Sequence, residues 1–329
     1  MNIVIVCNSI IPAVHYGGTE RVVWYLGKEL TKLGHRVVFL AKKGSHCNFA
    51  EVLHIDETRP VSKQIPEDAD FVHLNSAPDG TIKKTYLVTM HGNRNDFAEL
   101  DVNTVFVSKN HAERFGAGVD SVVYNGLDWD DYAKPDLNNP RNYFHFLGKA
   151  AWRVKNVKGA IDIICATQKE KLAVLGGHRL NIKMGFRFTI TSRVRFYGMV
   201  GGERKLELLQ GSRGLIFPVR WHEPFGLALT ESLFFGCPVL GAPYGSLPEI
   251  VVADVGVLSD RLEVLAQAAE NIDIFSRKRC HEYACDNFNS KVMALKYLEK
   301  YEKILNGKTL NSVPPKLQQI QPDKFLPFA

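Results

Sequence analysis

The stretch FPVRWHEPFGLALTESLFFGCPVLGAPYGSLPEI, from Phe217 to Ile250, is the one whose reading decides the fold. The apolar run GLIF that ends at Phe217 reads as a buried strand. From Gly226 onward, the spacing of Leu227, Leu229, Leu233 and Phe234 predicts a helix with one apolar side. Gly236 and Pro238 stop that helix, and PVLGAP begins another strand. Glu223 then lies in the loop before the helix, with Pro224, Phe225 and Gly226 after it, and Glu231 lies about two turns along. A loop carboxylate, a glycine and the free N–H groups of a helix start suit a polyhydroxylated or anionic ligand. Taken singly, each glutamate reads first as a solvated residue. Both together, with PFG and the later GSLPE, read as a ligand site.

Working outward, the same alternation of strand and helix runs through the chain. NIVIVC, VVFLAK, DFVHLN, YLVTMHG, TVFVSK and SVVYNG read as short strands, and ERVVWYLGKELTKLGHRV as an amphipathic helix closed by Gly34. Residues 127–142, LDWDDYAKPDLNNPRN, are polar and rich in Pro and Asn, so a linker is expected there. YFHFLG, KLAVLGG, VRFYGMV, GLIFPV, PVLGAP and VGVL then continue the strands, with VKGAIDIICAT as a helix. KVMALKYLEKYEKIL is a long amphipathic helix near the end, and SVPPKLQQIQPDKFLPFA is irregular. The expected division is 1–127, a linker over 128–142, and 143–290, with the segment 291–329 packing back on the first domain. Such alternation indicates doubly wound parallel sheets, which bind ligands beyond the carboxyl ends of their strands. That rule points to Gly17, Gly18, Asn75, His91, Gly92 and Asn125.

A length of 329 residues suits about two domains, and 45% hydrophobic with 23% charged residues is an ordinary soluble composition. The six cysteines have no C-x-x-C pairing and read as reduced thiols. The start MNIVIVCNSIIP lacks a basic leader, and no run approaches the ~20 apolar residues of a membrane span. Up to Asp130 there are 13 Lys and Arg against 16 Asp and Glu; beyond it, 28 against 19, so the second half carries the positive charge. No basic arm or aromatic platform for nucleic acid is present.

Four other places carry candidate chemistry. In HYGGTER, Gly17 and Gly18 precede a helix that Thr19 can cap, and two glycines let a backbone approach a phosphate or sugar. The alternative is a flexible loop. In FLGKAAWRVKNVKGA, Lys149, Arg153, Lys155 and Lys158 cluster where a diphosphate would sit, although such a cluster alone is usually a solvated basic loop. His91 ends a strand and can exchange a hydrogen bond with a sugar hydroxyl, or be structural. Asp128, Asp130 and Asp131 read as solvated acids of the linker, and no metal is expected. Nucleophile-elbow, P-loop and paired-histidine signatures are missing.

In order and spacing, GGTERVVWYLGKELTKLGHRV, VTMHG, VSKNHAERF, VYNGLD, FLGK, the two-glutamate segment and GSLPEIV resemble the retaining nucleotide-sugar glycosyltransferases of family 4. The resemblance implies the GT-B fold: α/β, two facing Rossmann-like doubly wound domains with an interdomain cleft. It implies a nucleoside-diphosphate-sugar donor, a sugar or lipid-linked sugar acceptor, retention at the anomeric carbon, and no metal or other cofactor. Surface-polysaccharide or glycolipid synthesis in the cytoplasm follows, with peripheral association at the inner face of the membrane allowed. Residue by residue, Glu223 would bind donor hydroxyls, and the backbone of Phe225, Gly226 and Leu227 would meet the sugar and diphosphate. Glu231 would bind the ribose, and Val200 the base through its main chain. Lys149 stands where the family commonly has arginine, which keeps the charge but loses the bidentate fork. Lys155 matches the family lysine six residues later, while Lys158 with Gly159 resembles its lysine-glycine pair, so either lysine fits the diphosphate. Gly17 and Gly18 would line the diphosphate loop, and His91 would meet the sugar. Ser246 replaces a second glycine before LPE, and the link between KLAVLGG and VRFYG is short. A nucleotide-sugar epimerase of the same fold and a non-catalytic binding subunit are the alternatives.

Overall fold

The structure, a computed structural model, describes residues 1–13, 17–182 and 184–329. The chain divides into two compact units: Met1–Trp129 with Phe288–Gln321, and Asp130–Asn287 with Pro322–Ala329.

The first unit is a parallel sheet of β1 (Asn2–Cys7), β2 (Arg36–Ala41), β3 (Glu51–His54), β4 (Phe71–Leu74), β5 (Tyr86–Met90) and β6 (Thr104–Phe106). Its strand order is β3-β2-β1-β4-β5-β6. The strands are short apolar runs because both faces of a parallel sheet are covered, and Val4, Val6, Val38, Leu40, Val72 and Leu74 form one side of its core. Helix α1 (Gly18–Lys32) buries Val22, Val23, Leu26 and Leu30. Helix α2 (Lys109–Arg114) follows β6, capped by Ser108, whose hydroxyl accepts from the His111 N–H at 3.2 Å. SVVYNG, expected as a strand, forms only a bridge from Val122 to Phe106. A 3-10 turn over Val119–Ser121 takes up its first residue, Ser121.

The second unit repeats the plan. Its sheet consists of β7 (Tyr143–Leu147), β8 (Leu172–Leu175), β11 (Val194–Phe196), β12 (Ser212–Phe217), β13 (Val239–Gly241) and β14 (Gly256–Leu258), in the order β11-β8-β7-β12-β13-β14. Both orders reverse direction beside their first strand, the switch point at which such sheets take ligands. Helices α3 (Val157–Ala166), α4 (Gly202–Gln210), α5 (Leu227–Phe234), α6 (Leu247–Ile250), α7 (Leu262–Glu270) and α8 (Arg277–Asn287) join the strands. The short link between β8 and β11 is a small antiparallel hairpin, β9 (Leu180–Asn181) with β10 (Arg187–Phe188), in place of the usual crossover helix.

Helix α9 (Ser290–Leu305) returns to the first unit and buries Met293, Tyr297, Tyr301 and Ile304. Each such side chain contributes roughly 1.5–3 kcal/mol, enough to hold an amphipathic helix against its sheet. Residues 306–321 continue along the first unit, and Pro322–Ala329 rejoin the second, where Leu326 N–H donates to the Arg220 carbonyl at 2.9 Å. The polar stretch expected as a linker is tied into the second unit. Arg141, buried, donates to the Ser212 carbonyl at 3.0 Å, and Arg277 donates to the carbonyls of Leu137 and Asn139. Asp128 is not a solvated acid: it is 5% exposed and pairs with Lys28 at 2.8 Å and Lys32 at 3.2 Å. Burial opposes its charge, but the two ammonium groups on α1 outweigh that and hold its carboxyl below the ordinary range.

Candidate active site

In the second unit the chemistry gathers where β7 and β12 end. After β7 the chain turns through Lys149 and a 3-10 turn, Arg153–Lys155, before Asn156 caps α3. Asn156 adopts φ 56°, accepts from the Gly159 N–H at 3.0 Å and donates to the Pro218 carbonyl at 2.9 Å. That clamp sets the loop after β7 beside the loop after β12. Lys155 is thereby buried, and its Nζ lies 2.5 Å from Glu223 Oε2. Trp221 Nε1 donates to the same oxygen at 2.8 Å, and the Lys155 ammonium sits over the Trp221 and Phe217 rings at 5.0 and 5.3 Å. Glu223 Oε1 accepts no hydrogen bond from any described residue.

The structure thus brings Lys155 and Glu223 together, and it separates the two lysine candidates. Lys158 is exposed on α3 and pairs with Asp162 at 2.6 Å. Lys149 is exposed, its ammonium 5.5 Å from the Trp152 ring, with no acidic partner among the described residues.

The turn HEPFG is held from behind by GSLPE. Ser246 N–H donates to the Glu223 carbonyl at 2.9 Å, and its hydroxyl to the Phe225 carbonyl at 2.7 Å. The serine that replaces a glycine is therefore a brace for the loop. Gly245 has φ 65°, and a Cβ there would lie 2.2 Å from the Glu223 nitrogen and 2.4 Å from its carbonyl oxygen. Gly245→Ala is expected to push the Glu223 loop out of place, costing about 1–3 kcal/mol of stability. A melting curve checks this, and an unchanged midpoint would show that the loop tolerates the added side chain.

Gly226, at φ 83°, is the N-cap of α5 and offers no side chain to the first-turn N–H groups, which begin at Leu227. Phe225 is 2% exposed. Glu231, on the second turn, is 2% exposed, accepts from the Tyr132 hydroxyl at 2.8 Å and pairs with Lys205 of α4 at 2.5 Å. Val200 is half-buried in the loop leading to α4. Neither glutamate is a solvated surface residue. Tyr132, Lys205 and Trp221 were not marked by the sequence. Only Trp221 carried a signal, two residues before Glu223 and so able to turn back on it.

In the first unit, Gly17 is the N-cap of α1 and Gly18 its first residue. Thr19 lies inside the first turn instead of capping it, because the helix starts one residue earlier. His15 and Tyr16 of HYGGTER lie outside the described residues. A Cβ on Gly17 would meet Glu20 Oε2 at 2.7 Å and Ala13 Cβ at 2.8 Å, so a close approach accounts for that glycine. His91, at the end of β5, borders a cavity of about 560 Å3 with Thr19, Asn75, Ser76 and Arg94. Asn75 Nδ2 donates to the Val6 carbonyl at 2.9 Å, which leaves its Oδ1 as the acceptor for His91 Nε2 at 2.8 Å. The proton is therefore on Nε2, and Nδ1 is an acceptor. Burial lowers the His91 pKa to about 4, which keeps the ring neutral.

Residues 128–286 match the family model described as glycosyl transferases group 1. An uncharacterized 41.2 kDa protein in the cps region of Klebsiella pneumoniae is 26% identical over 116 residues, a match that spans 33% of this chain and 32% of that protein. Among solved structures, AviGT4, a glycosyltransferase involved in avilamycin A biosynthesis, superposes with a TM-score of 0.77 at 20% identity, covering 94% of this chain and 99% of that one. Alr3699/HepE of Anabaena in complex with UDP-glucose superposes at 0.65 and 14% identity, covering 92% and 100%. At such identities the likeness carries the fold, which is the two-sheet α/β architecture of GT-B proteins. Beyond the fold, the likeness is thus a match of residues 128–286, a little under half of the chain, to glycosyl transferases group 1.

Proposed function

We propose that this chain is a retaining glycosyltransferase, moving a sugar from a nucleoside-diphosphate-sugar to a hydroxyl acceptor during surface-polysaccharide or glycolipid synthesis. The observation that carries the reading is the buried Lys155–Glu223–Trp221 cluster beside the open start of α5, within the segment that matches the family. Glu223 Oε1 is the acceptor for a donor-sugar hydroxyl. The first-turn N–H groups of α5, from Leu227, and the Lys149 ammonium face the diphosphate, whose charge rises as it leaves. Lys155, held by Glu223, fixes the carboxylate and adds its field to the same site. Glu231, fixed by Tyr132 and Lys205, orients the ribose, and Val200 meets the base through its backbone. UDP-glucose is the donor to test first, given the ligand of the Anabaena protein.

In the reaction the bond from the anomeric carbon to the diphosphate oxygen breaks, and its electron pair leaves with the diphosphate. The acceptor oxygen bonds to that carbon on the face just vacated, and its proton passes to a diphosphate oxygen. No protein nucleophile takes part. Nδ1 of the neutral His91 ring accepts a hydrogen bond from a sugar hydroxyl, and Gly17 and Gly18 let the protein backbone approach the substrate. Fixed cations and helix N–H groups serve as counter-charge to the diphosphate, so the proposed reaction needs no metal. The proposed place of work is the cytoplasmic side of the membrane.

The test is incubation of the purified chain with a panel of nucleotide sugars and hydroxyl acceptors, with and without chelator. Acceptor-dependent release of nucleoside diphosphate, unaffected by chelator, and a product that keeps the donor's anomeric configuration are expected. An inverted product overturns retention, chelator-sensitive transfer overturns metal independence, and an epimerised donor without transfer overturns the reading itself.

A further inference from the structure

The hairpin between β8 and β11 is built inside out. Along residues 179–191 apolar and polar residues alternate, and the apolar ones face solvent: Leu180 is 48% exposed, Ile182 73%, Met184 56%, Phe186 79%, Phe188 55% and Ile190 83%. Among the described polar positions, Arg179, Arg187 and Thr189 turn inward. Arg179 donates to the carbonyls of Thr189 and Val194, each at 2.7 Å, and Arg187 donates to the His178 carbonyl at 2.9 Å while stacking over Phe196 at 4.9 Å. Thr189 is 5% exposed. A strand face that covers a core carries its apolar residues inward; here the arginines anchor the hairpin and the apolar face is presented outward. A contiguous apolar face of this kind marks an interaction surface.

Charge identifies the occupant. Residues 171–202 contain six Lys and Arg and no Asp or Glu, as much positive charge as the net +6 of the whole chain. Along this apolar face an open cavity of about 640 Å3 is bordered by Phe186, Phe188 and Ile190 on the hairpin and by Arg153, Lys158, Arg187 and Arg220, against a single carboxylate, Asp162. Two copies of the chain meeting through this face would bring like charges together. A projecting finger of aliphatic and phenyl side chains ringed by cations matches the boundary of an anionic lipid layer, where acyl chains close around the finger and phosphates meet the arginines.

We propose that the 180–190 hairpin docks the chain on an anionic membrane surface, with Ile182, Phe186 and Ile190 entering the acyl boundary and Arg153 and Arg220 meeting lipid phosphates. Among the described residues no helix is long and apolar enough to cross a membrane, and the proposed attachment is a peripheral one. It gives the proposed transferase direct access to a lipid-linked acceptor, and in that respect it rests on that function. Vesicle binding is measured without turnover, however, so either can fail alone.

Sedimentation with phosphatidylglycerol–phosphatidylcholine vesicles tests it. The full chain is expected to pellet with these vesicles, to pellet far less with phosphatidylcholine alone, and to be released by salt. The triple variant Ile182→Ser, Phe186→Ser, Ile190→Ser is expected to bind on the order of 100-fold more weakly, with its melting temperature and its transfer to a water-soluble acceptor unchanged. In Phe186→Trp, the emission difference from the unsubstituted chain is expected to move to the blue when anionic vesicles are added, a readout that does not require the triple variant to fold. The proposal is overturned if the chain stays in the supernatant with both vesicles, if the triple variant binds as tightly, or if the emission difference of Phe186→Trp does not move. It is also overturned if the substitutions abolish a dimer or capture of an acidic protein while vesicle binding persists.

Discussion

Lys155→Ala is expected to destabilise the second unit by about 3–5 kcal/mol and to lower transfer by about 10^2–10^3-fold. The two losses have one origin. The side chains of Lys155 and Glu223 are 11% and 7% exposed, with 2.5 Å between the charged atoms, and removing the ammonium leaves a carboxylate buried with only the Trp221 N–H as partner. Glu223→Ala is expected to cost a similar amount, because the lysine is then the uncompensated charge. The double variant Lys155→Met, Glu223→Leu separates structure from chemistry. Replacing a buried pair by apolar side chains of similar volume is often neutral or stabilising, so the melting temperature is expected to return toward its original value while transfer stays lost. Thermal unfolding and initial rates on the same four proteins form the cycle. If the double variant recovers activity along with stability, the pair is a structural clamp, and Glu223 does not hold the donor sugar.

Acid is expected to unfold the first unit well before the second. Burial lowers the pKa of His73 and His111 to about 3 and that of His91 to about 4, all in the first unit, while in the second His145 is lowered to about 3. His73 sits between the Tyr301 hydroxyl at 2.7 Å and Thr89 at 2.8 Å, and His145 between Ser212 at 2.7 Å and Ser232 at 2.8 Å. Each ring is neutral when folded, whereas the unfolded chain takes up a proton near pH 6.5. Between about pH 6.5 and 4 the unfolded state binds more protons, so stability is present above this window and is lost as the pH falls through it. One pH unit corresponds to about 1.4 kcal/mol for each histidine, so three of them remove up to about 6 kcal/mol from the first unit by pH 5. That is comparable with the whole stability of many domains. Melting curves from pH 7.5 to 4.5 are expected to split into two transitions, the first-unit one moving down faster. Proton NMR of the histidine rings provides the direct check: four rings that do not titrate above about pH 5. A single transition that keeps its midpoint across this range would refute the assignment.

Much of the site was legible from residue type and spacing. Glu223, Gly226 and Glu231 stand on one strand–loop–helix, and the periodicity from Leu227 to Phe234 suffices to place one glutamate in the loop and the other on the second turn. His91 could be set at the carboxyl end of its strand for the same reason. Other features depend on partners far away in the chain. Lys155 reaches Glu223 across 68 positions and Lys205 reaches Glu231 across 26, and no local pattern announces either pairing. Asp128 looked like a linker acid because its neighbours are polar, yet α1 supplies two lysines and buries it. Ser246 read as a departure from a glycine pair, and its hydroxyl turns out to brace the Phe225 carbonyl.

By itself, the sequence determined the class of fold: short apolar runs alternating with amphipathic segments can bury their surfaces only as covered parallel sheets. It also placed Glu223 in the loop before a helix, Gly226 at the start of that helix and Glu231 on its second turn, because these are local properties. Only the tertiary structure decided which lysine meets Glu223, where Asp128 finds its counter-charge, and which side of the 180–190 hairpin faces outward. Periodicity reveals that a segment has two different sides. Which side is covered depends on what packs against it, and here the arginines found carbonyl partners within the unit while the apolar side chains were left largely exposed.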